Sequence, residues 1–374
     1  MEDILRITSR GRAVSGIALI GMSALVLAGC ASAPEETEGD SSAAPAESDF
    51  LPCMISDTGG FDDKSFNQLG FEGLTEASEA LGVEPKTSES TDESDYAPGI
   101  TSLVDAGCNL IVTVGFALSA ATVTAAQENP DVEFAIIDDA ADNDFDGEVD
   151  APNIKPILFD TSQAAFLAGY ASASYSTTGT IGTFGGIAYP TVTIFMDGFY
   201  QGAQYYNEQK DADVKVVGWD PEDPDAALVS GSFDANEDAK AVAQNLIDAD
   251  ADVIFPVGGP IFQSAGAAIE DSGKDIALLG ADADVYETFP TYDSLYLTSV
   301  LKGMKPATSD VVTAAAAGEF DTTPYIGNLE NDGVGIAPFH DFESKVNGDL
   351  QGELDDISAG IISGDITVTS YLAG

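Results

Sequence analysis

From residue 50 onward one unit recurs along the chain: a short β-branched or aliphatic run that stops at Gly or Asp, then a stretch with apolar residues at helical spacing. The runs occupy residues 53–57, 110–115, 134–138, 181–185, 253–258 and 276–280. Between them, Phe66, Leu69, Gly73, Leu74, Ala77 and Leu81 form one helical stripe, and Val192, Phe195, Phe199, Ala203 and Tyr206 form another. A third comprises Ala239, Val242, Ala243, Leu246 and Ile247, with Asp234 and Glu237 placed as a capping-box-like start. Strands alternating with helices predict parallel sheets covered by helices, an α/β class. In such sheets ligands bind beyond the carboxyl ends of the strands. The expected site loops are therefore 57–67, 115–118, 138–141, 185–191, 258–262 and 281–284. At 374 residues the chain has room for two such sheets facing each other across a cleft.

The N-terminus follows a different pattern. Arg6, Arg10 and Arg12 precede an apolar run over 13–28, the charged-then-apolar order of a secretory signal. The run ends in Leu27-Ala28-Gly29-Cys30, which resembles the lipobox of bacterial lipoproteins, whose cysteine receives lipid. Residues 31–49 are rich in Ala, Ser, Pro, Glu and Asp and offer nothing to pack. Residues 1–29 are thus expected to be a signal peptide, and 30–49 a disordered tether holding the folded part outside the bacterial cell membrane through lipid on Cys30.

Charge narrows the function. Against 64 acids stand 13 bases, a net charge of −51, and all three arginines precede Cys30. The expected mature chain therefore has ten lysines, no arginine and 62 acids. A nucleic-acid partner or an anionic membrane surface is excluded on charge, and no guanidinium fork exists to grip a phosphate or carboxylate. The single histidine, His340, leaves no basis for imidazole catalysis or a multi-histidine metal site. Asp142-x-Asp144-x-Asp146-Gly147 imitates the start of an EF-hand loop, but its twelfth position is Asn153, where a bidentate Glu is needed. No P-loop, GxGxxG or zinc spacing is present, so no cofactor and no metal are expected.

At the strand-end loops the chain resembles a known family. Asp57-Thr58-Gly59-Gly60-Phe61-Asp62-Asp63-Lys64-Ser65-Phe66-Asn67-Gln68 with Glu72-Gly73-Leu74 is similar to the opening motif of the basic membrane protein family, substrate-binding lipoproteins of ABC transporters whose best-known members bind purine nucleosides. The likeness continues through Gly115-Phe116, Phe134-Ala135-Ile136-Ile137-Asp138, Phe166-Leu167-Ala168-Gly169-Tyr170, Gly185-Gly186 with Pro190 and Gly198-Phe199, Gly231-Ser232-Phe233, and Gly280-Ala281-Asp282-Ala283-Asp284 followed by Lys302, over about residues 53–320. It implies a type I periplasmic-binding-protein fold: two doubly wound parallel-sheet lobes joined by three hinge crossings, near 159–162, 281–292 and 321–328. Lobe one would comprise 50–160 plus 291–323, and lobe two 161–285 plus 324–374. It also implies a monomeric receptor, not an enzyme, that passes a small-molecule nucleoside to an ABC permease.

A purine needs aromatic plates for its faces and matching polar groups for its edge, while ribose offers a vicinal diol that a carboxylate accepts from. Asn67 and Asp138 match the family positions that read the base, Asp282 matches the acid at the sugar, and Lys302 would donate to ribose oxygens and balance that acid. Phe66 is the first aromatic plate, and Asp57, Phe116, Asp139, Phe195 and Gly258 complete the expected lining. Structural alternatives stand beside each: Asn67, Asp282 and Asp284 as helix caps, Asp138 as a turn residue with Asp139 taking over its contact, Lys302 as a solvated side chain. Phe195 and Phe199 on an apolar stripe read equally as core, and Phe233 and Trp219 compete as the second plate. Paired carboxylates at 138–139 and 282–284 also leave open an extracellular nucleoside hydrolase, and the fold alone admits a sugar-binding receptor. Finally, Cys53 and Cys108 are expected to pair: lipid takes Cys30, the exported chain meets an oxidising compartment, and a sheet order 2-1-3 makes their strands neighbours.

Overall fold

The computed structural model describes residues 50–372. The expected signal peptide, Cys30 and tether lie outside those residues. The first part of the chain runs β1 (Pro52–Ile55), α1 (Phe66–Leu81), β2 (Lys86–Ser88), α2 (Tyr96–Asp105), β3 (Leu110–Val114), α3 (Ser119–Glu128), β4 (Glu133–Ile137) and β5 (Ile154–Phe159). The second runs α4 (Thr161–Tyr175), β6 (Thr180–Gly185), α5 (Pro190–Lys210), β7 (Lys215–Val217), α6 (Glu237–Asp248), β8 (Val253–Val257), α7 (Ile261–Ser272), β9 (Ala277–Asp282), α8 (Val285–Thr288) and β10 (Tyr296–Lys302). Last come α9 (Met304–Ala316), β11 (Tyr325–Gly327), β12 (Val334–Ile336) and α10 (Leu350–Ser363).

The strands form two six-stranded sheets, ordered β11-β5-β4-β3-β1-β2 and β12-β10-β9-β8-β6-β7. All pairings are parallel except β12 on β10, which is antiparallel. This is the two-lobed α/β architecture that the alternating pattern and the family resemblance imply. The buried strands are near-continuous apolar runs because helices cover both faces of each sheet. In the second lobe α4 and α5 pack so closely that a methyl at Gly169 would lie 2.0 Å from the Phe199 carbonyl oxygen, and one at Gly202 1.9 Å from that of Phe166. Only glycine permits that approach, which gives the 166–170 and 198–199 motifs their physical meaning.

Two expected crossings are displaced. The segment assigned to lobe one from residue 291 instead contains β10, which pairs with β9 from Tyr296↔Leu278 to Leu301↔Asp282 and so stays in the second sheet. The chain leaves that sheet only after Lys302, whereupon α9 packs on α1 of the first lobe. The third crossing follows β11, which adds to the free edge of β5 through Tyr325↔Ile157, and it runs to β12 between 327 and 334. The first crossing runs from β5 directly into α4. The three lie side by side, with the Asp160 N–H donating to the Gly327 carbonyl (2.7 Å) and the Gly303 N–H to that of Gly333 (2.8 Å). A smaller correction concerns α6. Its cap is Asn236, whose Oδ1 accepts from the Ala239 N–H at 2.9 Å, rather than Asp234.

Cys53 on β1 is bonded to Cys108, just before the neighbouring strand β3, closing a sequence separation of 55 residues. Both cysteines are buried among Ile55, Ile100 and Ile111 at the end of the sheet remote from the strand-end loops. By the chain-entropy relation such a loop contributes roughly 4 kcal/mol, so reduction should lower the unfolding temperature by several degrees. Peptide mapping after alkylation without reductant is expected to find neither cysteine modified. Alkylation of both in the native protein would refute the bridge.

Candidate functional site

The carboxyl ends of both sheets open onto one cleft between the lobes, about 720 Å³ of space counting the part open to solvent. The first lobe supplies Asp57, Phe66, Asn67, Phe116 and Asp138; the second supplies Phe195, Gly258, Asp282 and Lys302. These nine expected residues therefore converge.

At the floor, Lys302 Nζ donates to Asp138 Oδ2 at 2.7 Å, joining the end of β10 to the end of β4 across the two lobes. The same ammonium lies 3.2 Å from Asp282 Oδ1, an ion-pair distance, but off the line of a hydrogen bond. Asp282 Oδ1 is thus a fully buried acceptor without a hydrogen-bond partner. Lys302 is only 5% exposed, so it is not the solvated side chain of the alternative reading. Burial by itself pulls its ammonium down, but the charges of Asp138 and Asp282 prevail and hold it above the ordinary lysine range. The Phe66, Phe195 and Phe159 rings surround Nζ at 4.9, 5.1 and 5.8 Å from their centroids. Phe195 is accordingly both core residue and lining, whereas Phe199 packs wholly inside against Phe255.

On the wall of the first lobe, Asp63 accepts four hydrogen bonds: from the Ser65 and Gln68 N–H groups at Oδ1, and from the Asn67 N–H and Asn67 Nδ2 at Oδ2. Asp63, not Asn67, thereby satisfies the N-terminus of α1. The second Nδ2 proton of Asn67 goes to Asp57 Oδ1 at 2.7 Å, and Asn67 Oδ1 accepts from the Asp57 N–H at 3.2 Å. Both amide protons of the expected base reader are therefore spent on carboxylates, and Asn67 acts on the cavity through the orientation it gives Asp57.

Asp139 does not join the lining. Its carboxylate accepts from Ser119 Oγ and from the Ala141 N–H, because the left-handed turn at Asp138 (φ 66°) directs successive side chains to opposite sides. Asp284 proves to be a cap: Oδ1 accepts from the Tyr286 N–H at the start of α8, and Oδ2 pairs with His340 Nε2. Trp219 is removed as a plate, since its indole N–H donates to Asp197 in the core. Phe233 lines the cavity; a methyl at Gly186 or Gly258 would come within 2.2 and 2.6 Å of its ring, so the two glycines make its seat.

Residues outside the expected set also face the cavity. Tyr189 tilts against Phe116 across the mouth with centroids 5.0 Å apart, and lies 6.0 Å from Phe233. It stands in the anticipated 185–191 loop and was findable as the one tyrosine there. Glu93 and Tyr96 come from the segment after β2, a three-residue polar strand that carries no hydrophobic signal.

Known proteins resemble the whole of this arrangement. The profile of the Bmp family, described as ABC transporter substrate-binding protein PnrA-like, matches residues 50–370. The chain is 27% identical over 375 residues to the ABC transporter nucleoside-binding protein BmpA of Lactococcus lactis subsp. cremoris, covering 96% of this chain and 98% of that protein. It is 30% identical over 315 residues to basic membrane protein A of Borreliella burgdorferi, covering 83% of this chain and 86% of that one. Among solved structures, an ABC transporter solute-binding protein from Aeropyrum pernix K1 superposes with a TM-score of 0.74 at 21% identity, covering 86% of this chain and 94% of the other.

Protein surrounds Asp57 on most sides although part of it opens to the cavity. Burial, with the charges of Asp63 and Asp138, raises its carboxyl from 3.8 to about 6 against the opposing Gly59 N–H and Asn67 amide. A raised carboxyl favours folding fully below the unfolded value, and that stabilisation is lost as pH rises through 6. Asp57→Asn is therefore expected to stabilise the protein by ~1–3 kcal/mol at pH 7.5 and by almost nothing at pH 4. Thermal unfolding at the two pH values measures this, and an equal effect at both would contradict the assignment.

Proposed function

This chain belongs to the Bmp family of PnrA-like ABC transporter substrate-binding proteins, and from that premise we propose that its cleft captures a neutral purine nucleoside. The family is one of transport binding proteins rather than enzymes, and that role implies a permease partner and a small-molecule ligand. The nucleoside reading rests chiefly on one observation. Asp282 Oδ1 is buried and without a hydrogen bond, at the floor of an aromatic-walled cleft and beside an ammonium. A ribose diol supplies two donors to that carboxylate, and Lys302 keeps protons for the sugar oxygens. Phe66 from one lobe and Phe233 from the other line the cleft and would supply the aromatic contacts of the base. The Lactococcus relative, named as a nucleoside-binding protein, points the same way.

The charge balance of the cleft sets the limit on ligands. Asp57, Asp63, Glu93, Asp138 and Asp282 line it with one lysine, and that lysine is already engaged. A phosphate entering this cavity loses hydration without gaining a counter-charge. In this reading the receptor works as a monomer, tethered by lipid on Cys30 outside the membrane, and delivers its nucleoside to the permease. No described helix is long and apolar enough to cross a membrane.

Guanosine at 100 times its dissociation constant is expected to stabilise the protein by about 2.7 kcal/mol in a thermal-shift assay. Guanosine 5′-monophosphate should bind at least tenfold more weakly in calorimetry; equal or tighter binding would overturn the neutral-ligand reading.

Asp282→Ala should weaken nucleoside binding by about 1.5–3 kcal/mol, the scale of hydrogen bonds to a charged group. The 2′,3′-dideoxy nucleoside should lose little further on that variant. Unchanged affinity would remove Asp282 from the sugar.

A further inference from the structure

The wall of the first lobe carries information about the base that the family resemblance does not. Asp57 follows β1 and Asp138 follows β4, with β3 and its terminal Gly115 between them. Two strand spacings put their backbones about 10 Å apart, and Phe66 lines the same wall. Asp57 Oδ1 is occupied by the Gly59 N–H at 2.9 Å and Asn67 Nδ2 at 2.7 Å. Asp57 Oδ2 takes no hydrogen bond among the described residues and faces Gly115, where a methyl would stand 3.1 Å from it. Asp138 Oδ2 is held by Lys302, which leaves Oδ1 open. With both Asn67 protons spent, the strand-end side-chain carboxyl and amide atoms free to meet a ligand on this wall are two carboxylate oxygens, which only accept when ionised. Thr58 and Tyr96 hydroxyls donate or accept as required and do not discriminate.

We propose that this acceptor-only wall selects a 2-amino-6-oxopurine nucleoside, with Asp57 Oδ2 as the specificity-determining atom and Asn67 as the residue that positions it. The inference rests on the nucleoside reading of the cleft. Guanine presents N1–H beside its 2-amino group, adjacent donors that match carboxylate oxygens. Adenine presents the lone pair of N1 beside its 6-amino group, and an acceptor set against a buried carboxylate loses a hydrogen bond and meets repulsion. Sites built around hydrogen bonds reject such mismatched analogues far more strongly than apolar pockets reject a missing methylene. Hypoxanthine keeps N1–H but lacks the amino group, so inosine falls between the two.

The test is calorimetry on the full chain at pH 8, where the Asp57 carboxyl, raised to about 6, is ionised. Guanosine should bind at least tenfold more tightly than adenosine, with inosine intermediate, and 1-methylguanosine should lose at least tenfold relative to guanosine. Asp57→Asn keeps an oxygen for Gly59 and Asn67 but places an amide NH2 where Oδ2 stood, so guanosine should lose at least tenfold and the guanosine-to-adenosine ratio should invert. Adenosine binding as tightly as guanosine, or 1-methylguanosine binding like guanosine, overturns the proposal on the wild-type protein alone, whatever the fate of the variant. A folded Asp57→Asn protein with the wild-type ratio also overturns it. Failure of every nucleoside to bind the wild type removes the nucleoside reading itself; binding with the wrong order removes only the selectivity.

Discussion

One ammonium ties the two halves of this protein together. Lys302 rises from the last long strand of the second sheet, yet its shortest bond is to Asp138 of the first. Two carboxylates share that single charge, so the triad is left with a net negative charge away from solvent, which is unfavourable unless further donors arrive. Three aromatic rings exclude water around it and make each charge count for more. Hydroxyls bridge the lobes nearby: Ser65 Oγ donates to the Ala281 carbonyl and Thr288 Oγ1 to that of Lys64, each at 2.8 Å, and Ser65 Oγ also lies 3.5 Å from Asp282 Oδ2. These hydrogen bonds flank the floor of the cleft at the start of α1 and the end of β9. The cleft is therefore shut at its base by protein contacts, while unmet demand for donors stands at Asp282 Oδ1, Asp57 Oδ2 and Asp138 Oδ1.

The acidity of the chain gives this ammonium its weight. With no arginine after residue 12 and ten lysines in all, most lysines serve surface pairs such as Lys240 with Asp271 and Lys155 with Asp321. Exposed pairs of this kind contribute little to stability. Lys302 alone among the pairs has both partners almost wholly buried. A surface that repels anions and a floor whose one cation is already shared both disfavour an anionic ligand.

Much of this was legible in the sequence because the physics of buried parallel strands leaves a strong trace: an apolar run, then Gly or Asp where the chain turns toward a ligand. Asp57, Phe66, Asn67, Asp138, Asp282 and Lys302 were all found that way or by family likeness. What escaped has equally physical reasons. Strand β10 mixes Thr and Ser with its apolar residues, and missing it displaced a hinge crossing. Strands β2, β11 and β12 are three residues each, too short for any period to show. Asp138 and Asp139 are adjacent and alike in sequence; a single backbone angle and a serine 20 residues back along the chain decide which one meets the cavity. The role of Asn67 changed because a side chain's residue type states what it can donate, whereas only its neighbours show what it has left.

The two acids on Lys302 share an improbable backbone. Asp138 and Asp282 follow or end the fourth strand of their respective sheets, and both adopt left-handed conformations, with φ of 66° and 68°. For a residue with a side chain each such conformation costs about 1–2 kcal/mol. Glycine would adopt it without strain but brings no carboxylate. Asparagine tolerates it comparably, yet a neutral amide at either place would weaken the countercharge on which a buried ammonium depends. Aspartate is short enough for the turn and charged enough for the lysine, so the same local strain appears in both lobes where the strands stop and the cleft begins. Strain of this kind persists only where surrounding contacts over-determine it, and here the over-determining contact is the ammonium itself.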